Sequence, residues 1–382
     1  MRIPLSAPDI TEPEIEAVAA VLRSPHLSLG PKLREFEAAF APLTRVPHAI
    51  AVSSGTAGLH LAIKALNIGE GDEVLVPSFT FIAAANAIRY ERATPVFVDI
   101  DPDSLNLSPA AVEAAITPRT RALLVVHTFG RPADMVPLLA LAKRHNLAVI
   151  EDACEALGAT YHGQPAGSFG DIAVFAFYPN KQITTGEGGM IVTRDPALAA
   201  TMRSLRNQGR RASTAEKSES DNWLQHADLG FNYRLSDIAC TLGLGQLRRL
   251  PDILARRAEV ARLYHHHLAS ERHLILPSLE VPDARISWFV FVVRLTPSFT
   301  TKDRDDLVAH LHGTGIACAR YFAPIHLQPA YAAYRHAQLP ITESIAARTL
   351  ALPFFNCLTE PQIVEVSTTL RAALAARQAV EK

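Results

Sequence analysis

The chain has 382 residues, of which 48% are hydrophobic and 20% are charged, a composition typical of a globular protein with a large core. Its 37 basic residues are balanced by 38 acidic residues, which argues against a surface for nucleic acid or another polyanion. No apolar stretch reaches the ~18 residues that a membrane span needs, and the N-terminal residues lack a signal-peptide pattern. The four cysteines are scattered, with neither metal-ligand nor disulfide spacing. We therefore expect a soluble, cytoplasmic protein without a metal site.

Short apolar segments alternate with helical patterns along the first half of the chain. The segments are continuous rather than alternating in polarity, which is typical of strands in a sheet that is covered on both faces. They are residues 49–52, 74–76, 96–98, 122–126, 148–150, 172–177 and 190–192. This alternation predicts a large α/β domain, residues 1–246, built on a seven-stranded and mostly parallel sheet.

The pattern changes after about residue 246, where strands become sparse. We predict a smaller α+β domain, residues 247–382. It contains helices at 253–268, 303–312 and 360–376 and a strand at 287–295. Residues 208–228 are polar and charged without apolar periodicity, which indicates a loop or lid.

Lys181 and Asp152 each follow a predicted strand of the large domain. Lys181 lies between the strand at 172–177 and a glycine-rich turn, so its amine is desolvated enough to form a Schiff base with a carbonyl. Asp152 ends the strand at 148–150, at the sheet edge where ligands bind in such folds, although it could merely cap the turn. An amine that holds an aldehyde and a carboxylate that holds a pyridinium nitrogen together indicate a pyridoxal 5′-phosphate (PLP) enzyme.

The turn at residues 53–58 joins the first strand to its helix. Its small residues, including Gly55, Thr56 and Ala57, would let a phosphate approach the amides at the helix N terminus. The alternative is a simple N-capped helix.

Four other residues are candidates for contact with a cofactor. Glu155 could reach the same ring as Asp152, or could be a surface residue of a helix. Phe79 and Phe81 alternate, so only one of them can face a cofactor, and the default for both is core packing. His127 could hydrogen-bond a cofactor or a substrate, or be a satisfied core histidine.

These residues belong to longer motifs that resemble those of the DegT–DnrJ–StrS nucleotide-sugar aminotransferases of PLP fold type I. The likeness extends over nearly the whole chain. The motifs that carry it are residues 53–57, 71–81, 94–101, 151–155, 167–171, 175–189, 229–237 and 324–329.

The resemblance implies a role for each matching residue. Lys181 would be the Schiff-base lysine and the acid–base group, and Asp152 the partner of the pyridinium. Thr56 and Ala57 would bind the cofactor phosphate, and Phe81 would stack on the ring. The resemblance also implies a homodimer with shared active sites, in which Asn232 reaches the cofactor phosphate of the neighbouring subunit.

Two positions depart from the family pattern. The family often has glutamine where Glu155 stands, beside the ring hydroxyl, and serine where Ala176 stands, as a phosphate ligand. The change at Ala176 removes one hydrogen bond, so that Ser53, Ser54 or Thr185 would contribute more.

The expected reaction follows from the same resemblance. Lys181 favours a transaminase over the family's dehydratases, which have histidine there, and residues 180–189 resemble members that aminate C-4, such as perosamine synthases. L-Glutamate would donate the amino group to the 4-keto carbon of a nucleotide-linked 4-keto-6-deoxyhexose, in amino-sugar and polysaccharide biosynthesis. The alternatives are a 3-keto nucleotide sugar, a cyclitol ketone, or a non-catalytic PLP-binding regulator.

Three residues outside the cofactor motifs are candidates for binding the nucleotide sugar. Arg210 and Arg211 lie in the loop at 208–228 and could pair with its diphosphate. His326 lies in the familial segment 324–329 and is expected to contact the same substrate.

Overall fold

The computed structural model describes residues 2–210, 225–334 and 338–380, with side chains described as far as residue 377. The helices of these ranges are α1 Glu12–Leu22, α2 Pro31–Thr44, α3 Gly55–Ala65, α4 Ala83–Tyr90, α5 Pro109–Ala115, α6 Met135–His145, α7 Pro196–Arg206, α8 Asp237–Arg248, α9 Leu250–Leu268, α10 Thr301–Gly313, α11 Pro340–Ala346 and α12 Glu360–Val380. The strands are β1 His48–Val52, β2 Glu73–Pro77, β3 Thr94–Val98, β4 Thr120–Val126, β5 Ala148–Asp152, β6 Thr160–Tyr161, β7 Gln164–Pro165, β8 Ile172–Ala176, β9 Gly189–Thr193, β10 Leu274–Ile275, β11 Ala284–Arg285, β12 Phe291–Leu295 and β13 Thr349–Leu352.

A seven-stranded sheet forms the centre of the large domain, in the order β1-β9-β8-β5-β4-β2-β3. Strand β9 runs antiparallel to both of its neighbours, and the other neighbouring pairs are parallel. The seven apolar segments that we identified in the sequence are these seven strands. The mostly parallel sheet is therefore confirmed.

Helices cover both faces of this sheet, which explains why its strands have no polar face. Val74 and Val76 pack with α3 and α4 in one buried cluster, whereas Leu75 packs with α5 and α6 in another. A third cluster contains Phe175 of β8 and the α2 residue Phe40. Every residue of β2 is buried as a result, as expected for a strand between two helical layers.

The C-terminal unit is built on the small sheet β10-β12-β13, against which α9, α10 and α12 pack. The first residues of the chain also belong to it, because Ile3 is 1% exposed, lies in its core and bridges Ile316. Phe354 N donates a hydrogen bond of 2.9 Å to Leu5 O. A division at residue 246 does not account for this N-terminal segment, whose partners are more than 300 residues away.

The predicted strand at 287–295 is shorter in the structure because its first residues pair with the large domain. Ser287 N donates to Gly130 O at 3.0 Å, and Phe289 N donates to Phe129 O at 3.3 Å. Only Phe291–Leu295 joins the small sheet. This pairing brings the two units together beside Lys181.

The part of the chain that the structure describes contains neither a membrane-spanning helix nor a metal-binding cluster. None of its helices is long and apolar enough to cross a membrane. It also contains no cluster of three or more His, Cys, Asp or Glu side chains that could hold a metal ion.

Candidate active site

A cavity of about 640 Å³ opens at the carboxyl edge of the large sheet. The large domain contributes Lys181, Asp152, Glu155 and Phe81 to its lining, and the C-terminal unit contributes residues 320–322. The parallel strands deliver their following loops to this edge, so residues far apart in the sequence meet there.

Lys181 follows β8 in a tight turn, in which its backbone N–H donates to Tyr178 O at 2.9 Å. Its side chain is 14% exposed, with Nζ 3.5 Å from Glu155 Oε1. Nζ also lies 3.9 Å from the centroid of the Phe289 ring, a cation–π distance. The amine is thus partly desolvated and held at the floor of the cavity, as a nucleophilic lysine requires.

Asp152 is the last residue of β5, and its side chain enters the same cavity. Its Oδ1 accepts a hydrogen bond of 3.1 Å from Cys154 N, which is the turn cap that we considered as an alternative. The residue is 8% exposed, so the carboxylate is sheltered but open to the cavity. One side chain therefore serves as a local cap and as an available anion.

Gly55 and Thr56 begin α3 and line the cavity. A Cβ on Gly55 would lie 2.7 Å from the Ala176 Cβ and 2.9 Å from Cys154 Sγ, so only glycine fits this approach of the helix to β8. Ala57 differs, because its N–H already donates to Ser54 Oγ at 3.0 Å. The turn is an N-capped helix, and Gly55 and Thr56 rather than Ala57 are left to bind an anion.

The structure distinguishes the two phenylalanines that follow β2. Phe79 is fully buried and packs edge-on against Phe129 and Phe322. Phe81 is 62% exposed and lines the cavity, so it is the ring that could stack on a planar cofactor.

Glu155 lies deep in the cavity and is not a surface residue. Its Oε2 accepts a hydrogen bond of 2.9 Å from Phe129 N. Burial raises the pKa of Glu155, and the neighbouring Lys181 ammonium opposes part of that rise.

His127 is a satisfied core histidine. Its Nδ1 accepts from Ala133 N at 3.0 Å, so Nε2 carries the proton and donates to Glu151 Oε2 at 2.9 Å. Both side chains are fully buried. Glu151 also accepts from the backbone N–H groups of Gly167, Phe169 and Gly170, and this network supports the strand end that carries Asp152.

Asn232 and Arg210 lie outside the cavity of their own chain. Asn232 is exposed and forms a β-bridge with Asn207, and Arg210 N donates to Asn207 O at 3.1 Å. The two candidates are therefore neighbours on one surface. Arg211 lies outside the described residues.

His326 supports the packing of the C-terminal unit against the large domain. It is 2% exposed, and its Nδ1 lies 2.6 Å from Ser78 Oγ and its Nε2 3.2 Å from Glu343 Oε1. Because the imidazole is buried and bonded, we do not include His326 in the substrate site, contrary to our expectation from the sequence.

Several cavity residues carry no recognisable signal in the sequence. Phe289, Arg320, Tyr321 and Phe322 form the wall that the C-terminal unit contributes. They follow Lys181 by more than 100 residues, and only the paired aromatic residues Tyr321 and Phe322 hint at a binding surface.

The cavity fits PLP. It holds a partly desolvated amine, a carboxylate on the neighbouring strand, an exposed aromatic ring and the Gly55 and Thr56 amides at a helix N terminus. These four features match the aldehyde, the pyridine nitrogen, the ring face and the phosphate, respectively. Lys181, Asp152, Phe81 and the Gly55–Thr56 turn are the groups that would hold it.

Comparisons with known proteins agree with this assignment. The model of the DegT/DnrJ/EryC1/StrS aminotransferase family matches residues 8–371. GDP-perosamine synthase of Caulobacter vibrioides is 43% identical over 375 residues, which cover 98% of each protein.

Solved structures show the same fold. DesV of S. venezuelae superposes with a TM-score of 0.88 at 39% identity, covering 97% of this chain and 98% of DesV. The PLP form of Spr1654 from Streptococcus pneumoniae superposes with a TM-score of 0.91 at 28% identity, covering 98% and 99%. A PMP form of Spr1654 is also known. The chain therefore belongs to the DegT/DnrJ/EryC1/StrS aminotransferase family, with PLP as its cofactor and the type I fold of PLP enzymes.

Proposed function

We propose that the protein moves an amino group from L-glutamate to the 4-keto carbon of a nucleotide-linked 4-keto-6-deoxyhexose. The observation that carries the proposal is the meeting of Lys181 and Asp152 in one cavity beside the exposed ring of Phe81. The nature of the acceptor is supported by the 43% identity to a GDP-perosamine synthase over 98% of both chains.

The residues of the cavity have different roles in the reaction. Bound PLP supplies an electron sink that stabilises negative charge at the substrate carbon. The Asp152 carboxylate would keep the ring nitrogen protonated, and the N–H groups of Gly55 and Thr56 would bind the phosphate. Lys181 Nζ would carry the proton between the substrate carbon and the cofactor. Because one site serves both half-reactions in turn, we expect ping-pong kinetics.

We further propose that the enzyme is a homodimer with shared active sites. Ile15, Val18 and Leu22 form an apolar stripe on α1, in which Ile15 is 50% and Leu22 is 56% exposed. Val18 and the α8 residue Ile238 line a groove that extends to Glu187, which also lines the cavity. An apolar surface that is continuous with an active site fits a second copy of the chain.

The shared site predicts complementation between two inactive variants. Asn232 is exposed and lies outside its own cavity, as expected for a residue that serves the partner's cofactor phosphate. Mixing Lys181→Ala chains with Asn232→Ala chains should restore activity, because a hybrid dimer contains one intact site.

Subunit exchange must be verified first, with differently tagged chains. A mixture of Lys181→Ala and Asp152→Asn chains is the control, since both residues lie in the same cavity and no hybrid site is intact. Equal rates in the two mixtures would contradict the shared site.

Arg210 lies near Asn232, and we expect Arg210 and Arg211 to contact the diphosphate of the nucleotide sugar. Replacing Arg210 and Arg211 together by alanine should raise the KM for the nucleotide sugar by about tenfold or more, since each charge-assisted hydrogen bond contributes about 1.5–3 kcal/mol. The half-reaction with L-glutamate should be nearly unchanged.

Arg144→Ala is a matched control for the loss of an arginine. Arg144 forms an exposed ion pair with Glu113 on the surface. Half-reactions that slow equally in the Arg210/Arg211 variant, or that both keep their wild-type rates, would exclude a diphosphate contact.

The proposed reaction is tested by its products. The protein is incubated with L-glutamate and GDP-, UDP- or dTDP-linked 4-keto-6-deoxyhexoses, and NMR determines which carbon carries the new amine. The Lys181→Ala protein is the blank. Amination of a 3-keto nucleotide sugar or a cyclitol ketone instead would replace the proposed acceptor. An absorbance change of the bound cofactor on addition of L-glutamate alone distinguishes an aminotransferase from a regulator.

A further inference from the structure

A buried carboxyl and a buried amine face each other in the cavity. Lys181 Nζ lies 3.5 Å from Glu155 Oε1, and the two side chains are 14% and 8% exposed. The other carboxyl oxygen, Oε2, accepts a hydrogen bond of 2.9 Å from Phe129 N. The Phe129 amide therefore holds the carboxyl in place and leaves Oε1 for the amine.

The side chain of Gln182 also holds the main chain of Glu155. Gln182, the residue after the lysine, donates from Nε2 to Ser287 Oγ at 2.9 Å and also hydrogen-bonds the carbonyl oxygen of Glu155. Gln182 thus links the main chain of Glu155 to the residue that follows Lys181.

The charge state of the pair is balanced by opposing effects. The centroid of the Phe289 ring lies 3.9 Å from Nζ, a distance at which an aromatic ring attracts a cation. Burial favours the neutral form of the carboxyl and raises the pKa of Glu155, which the Lys181 charge and the Phe129 N–H oppose. Burial of both charges is costly, so a neutral pair can compete with an ion pair.

Three other titratable groups face the Glu155 carboxyl. The Asp152 charge raises the pKa of Glu155 further. Cys154 and Tyr321 also interact electrostatically with Glu155, and burial raises the pKa of both, so both are neutral partners. Lys181 is therefore the cation that Glu155 meets in the cavity at ion-pair distance.

We propose that Glu155 is the proton acceptor of Lys181, so that the two residues share one proton and a constant fraction of the lysine is an uncharged nucleophile near neutral pH. The proton moves from Lys181 Nζ to Glu155 Oε1. One ammonium and one carboxylate become one amine and one carboxylic acid, and the net charge is unchanged. The amine then has the lone pair that attack on a carbonyl requires.

Proton sharing has a signature that an ordinary ion pair lacks. While the pair holds one proton, the fraction of neutral amine depends on the balance between the two forms and not on pH. In a fixed ion pair, the neutral amine appears only as the proton leaves for solvent, and its fraction rises about tenfold per pH unit below the pKa of the lysine. The inference rests on the proposed function, in which Lys181 is the nucleophile.

The test measures the reactivity of the Lys181 amine in the full-length protein after PLP has been removed. Trace amounts of acetic anhydride label neutral amines between about pH 6 and 8, and mass spectrometry quantifies each labelled peptide. The exposed Lys143 is the internal reference, and its labelling should rise about tenfold per pH unit. Lys181 labelling should change less than about twofold over the same range in the wild-type protein.

Two variants separate the effect of the Glu155 carboxyl from the effect of the Phe289 ring. In Glu155→Gln, Lys181 labelling should rise about tenfold per pH unit, as in an isolated lysine. In Phe289→Leu the carboxyl remains, so the profile should stay flat but at a higher level, because the ammonium loses its cation–π contact. Circular dichroism verifies the fold of each variant, and the wild-type profile decides by itself if Glu155→Gln does not fold.

A wild-type profile that rises in parallel with Lys143 would overturn the proposal. Glu155 would then act only as an ion-pair partner, and its removal should increase the labelling of Lys181 at neutral pH. The measurement uses neither glutamate nor a sugar, so it is independent of the substrate test. A flat profile in a protein that aminates no keto sugar would support the proton sharing and contradict the proposed acceptor.

Discussion

Replacing Lys181 by alanine is expected to abolish amino transfer while the protein still binds PLP non-covalently. The physical reason is that Nζ is both the attacking amine and the group that moves the substrate proton, and no other amine lines the cavity among the described residues. General acid–base catalysis alone contributes about 10²–10⁴-fold, so the overall loss should exceed about a thousandfold. Single-turnover assays with L-glutamate and absorbance spectra of the bound cofactor measure the two effects.

Lys181→Arg separates the loss of charge from the loss of a nucleophile. Arginine keeps a cation near Glu155 and Phe289, but its guanidinium does not deprotonate in proteins. The arginine variant should therefore be as inactive as the alanine variant. Turnover near the wild-type rate in either variant would remove Lys181 from the mechanism.

Asp152→Asn is expected to lower the rate of both half-reactions by several orders of magnitude. Asparagine occupies the same volume but cannot hold the ring nitrogen protonated, so the cofactor withdraws electrons less strongly from the substrate carbon. Each ~1.4 kcal/mol of lost transition-state stabilisation is about tenfold in rate. Stopped-flow absorbance with L-glutamate measures the first half-reaction directly.

Cofactor retention and protein stability are the controls for this variant. The asparagine side chain that the substitution introduces can still accept from Cys154 N, so the turn after β5 should persist and the melting temperature should change little. Asp152→Glu restores the charge at a changed distance and should recover part of the rate. An Asp152→Asn enzyme within a few-fold of the wild-type rate would show that another group holds the nitrogen.

The neighbouring Glu151 shows why position decides the role of a carboxylate. Asp152 and Glu151 are consecutive in β5, and successive side chains of a strand point to opposite faces. Glu151 is fully buried and accepts from His127 and from three backbone amides, whereas Asp152 enters the cavity. The first carboxylate is structural, and the second is available for chemistry.

The sequence by itself determined the central sheet and the core of the site. Its strands are recognisable because burial on both faces leaves mostly apolar residues, a pattern that can be read locally along the chain. Lys181 and Asp152 were predicted for a similar reason. Asp152 ends one buried strand and Lys181 lies in the turn after another, and parallel strands place such residues at one edge.

Only the tertiary structure decided which neighbours complete the site. Phe81 faces the cavity and Phe79 does not, and His326 is buried against Ser78. The C-terminal wall at 320–322 and Phe289 reach Lys181 through contacts between segments more than 100 residues apart. Local periodicity contains no information about such contacts, because side-chain direction and long-range packing are set when the two units meet.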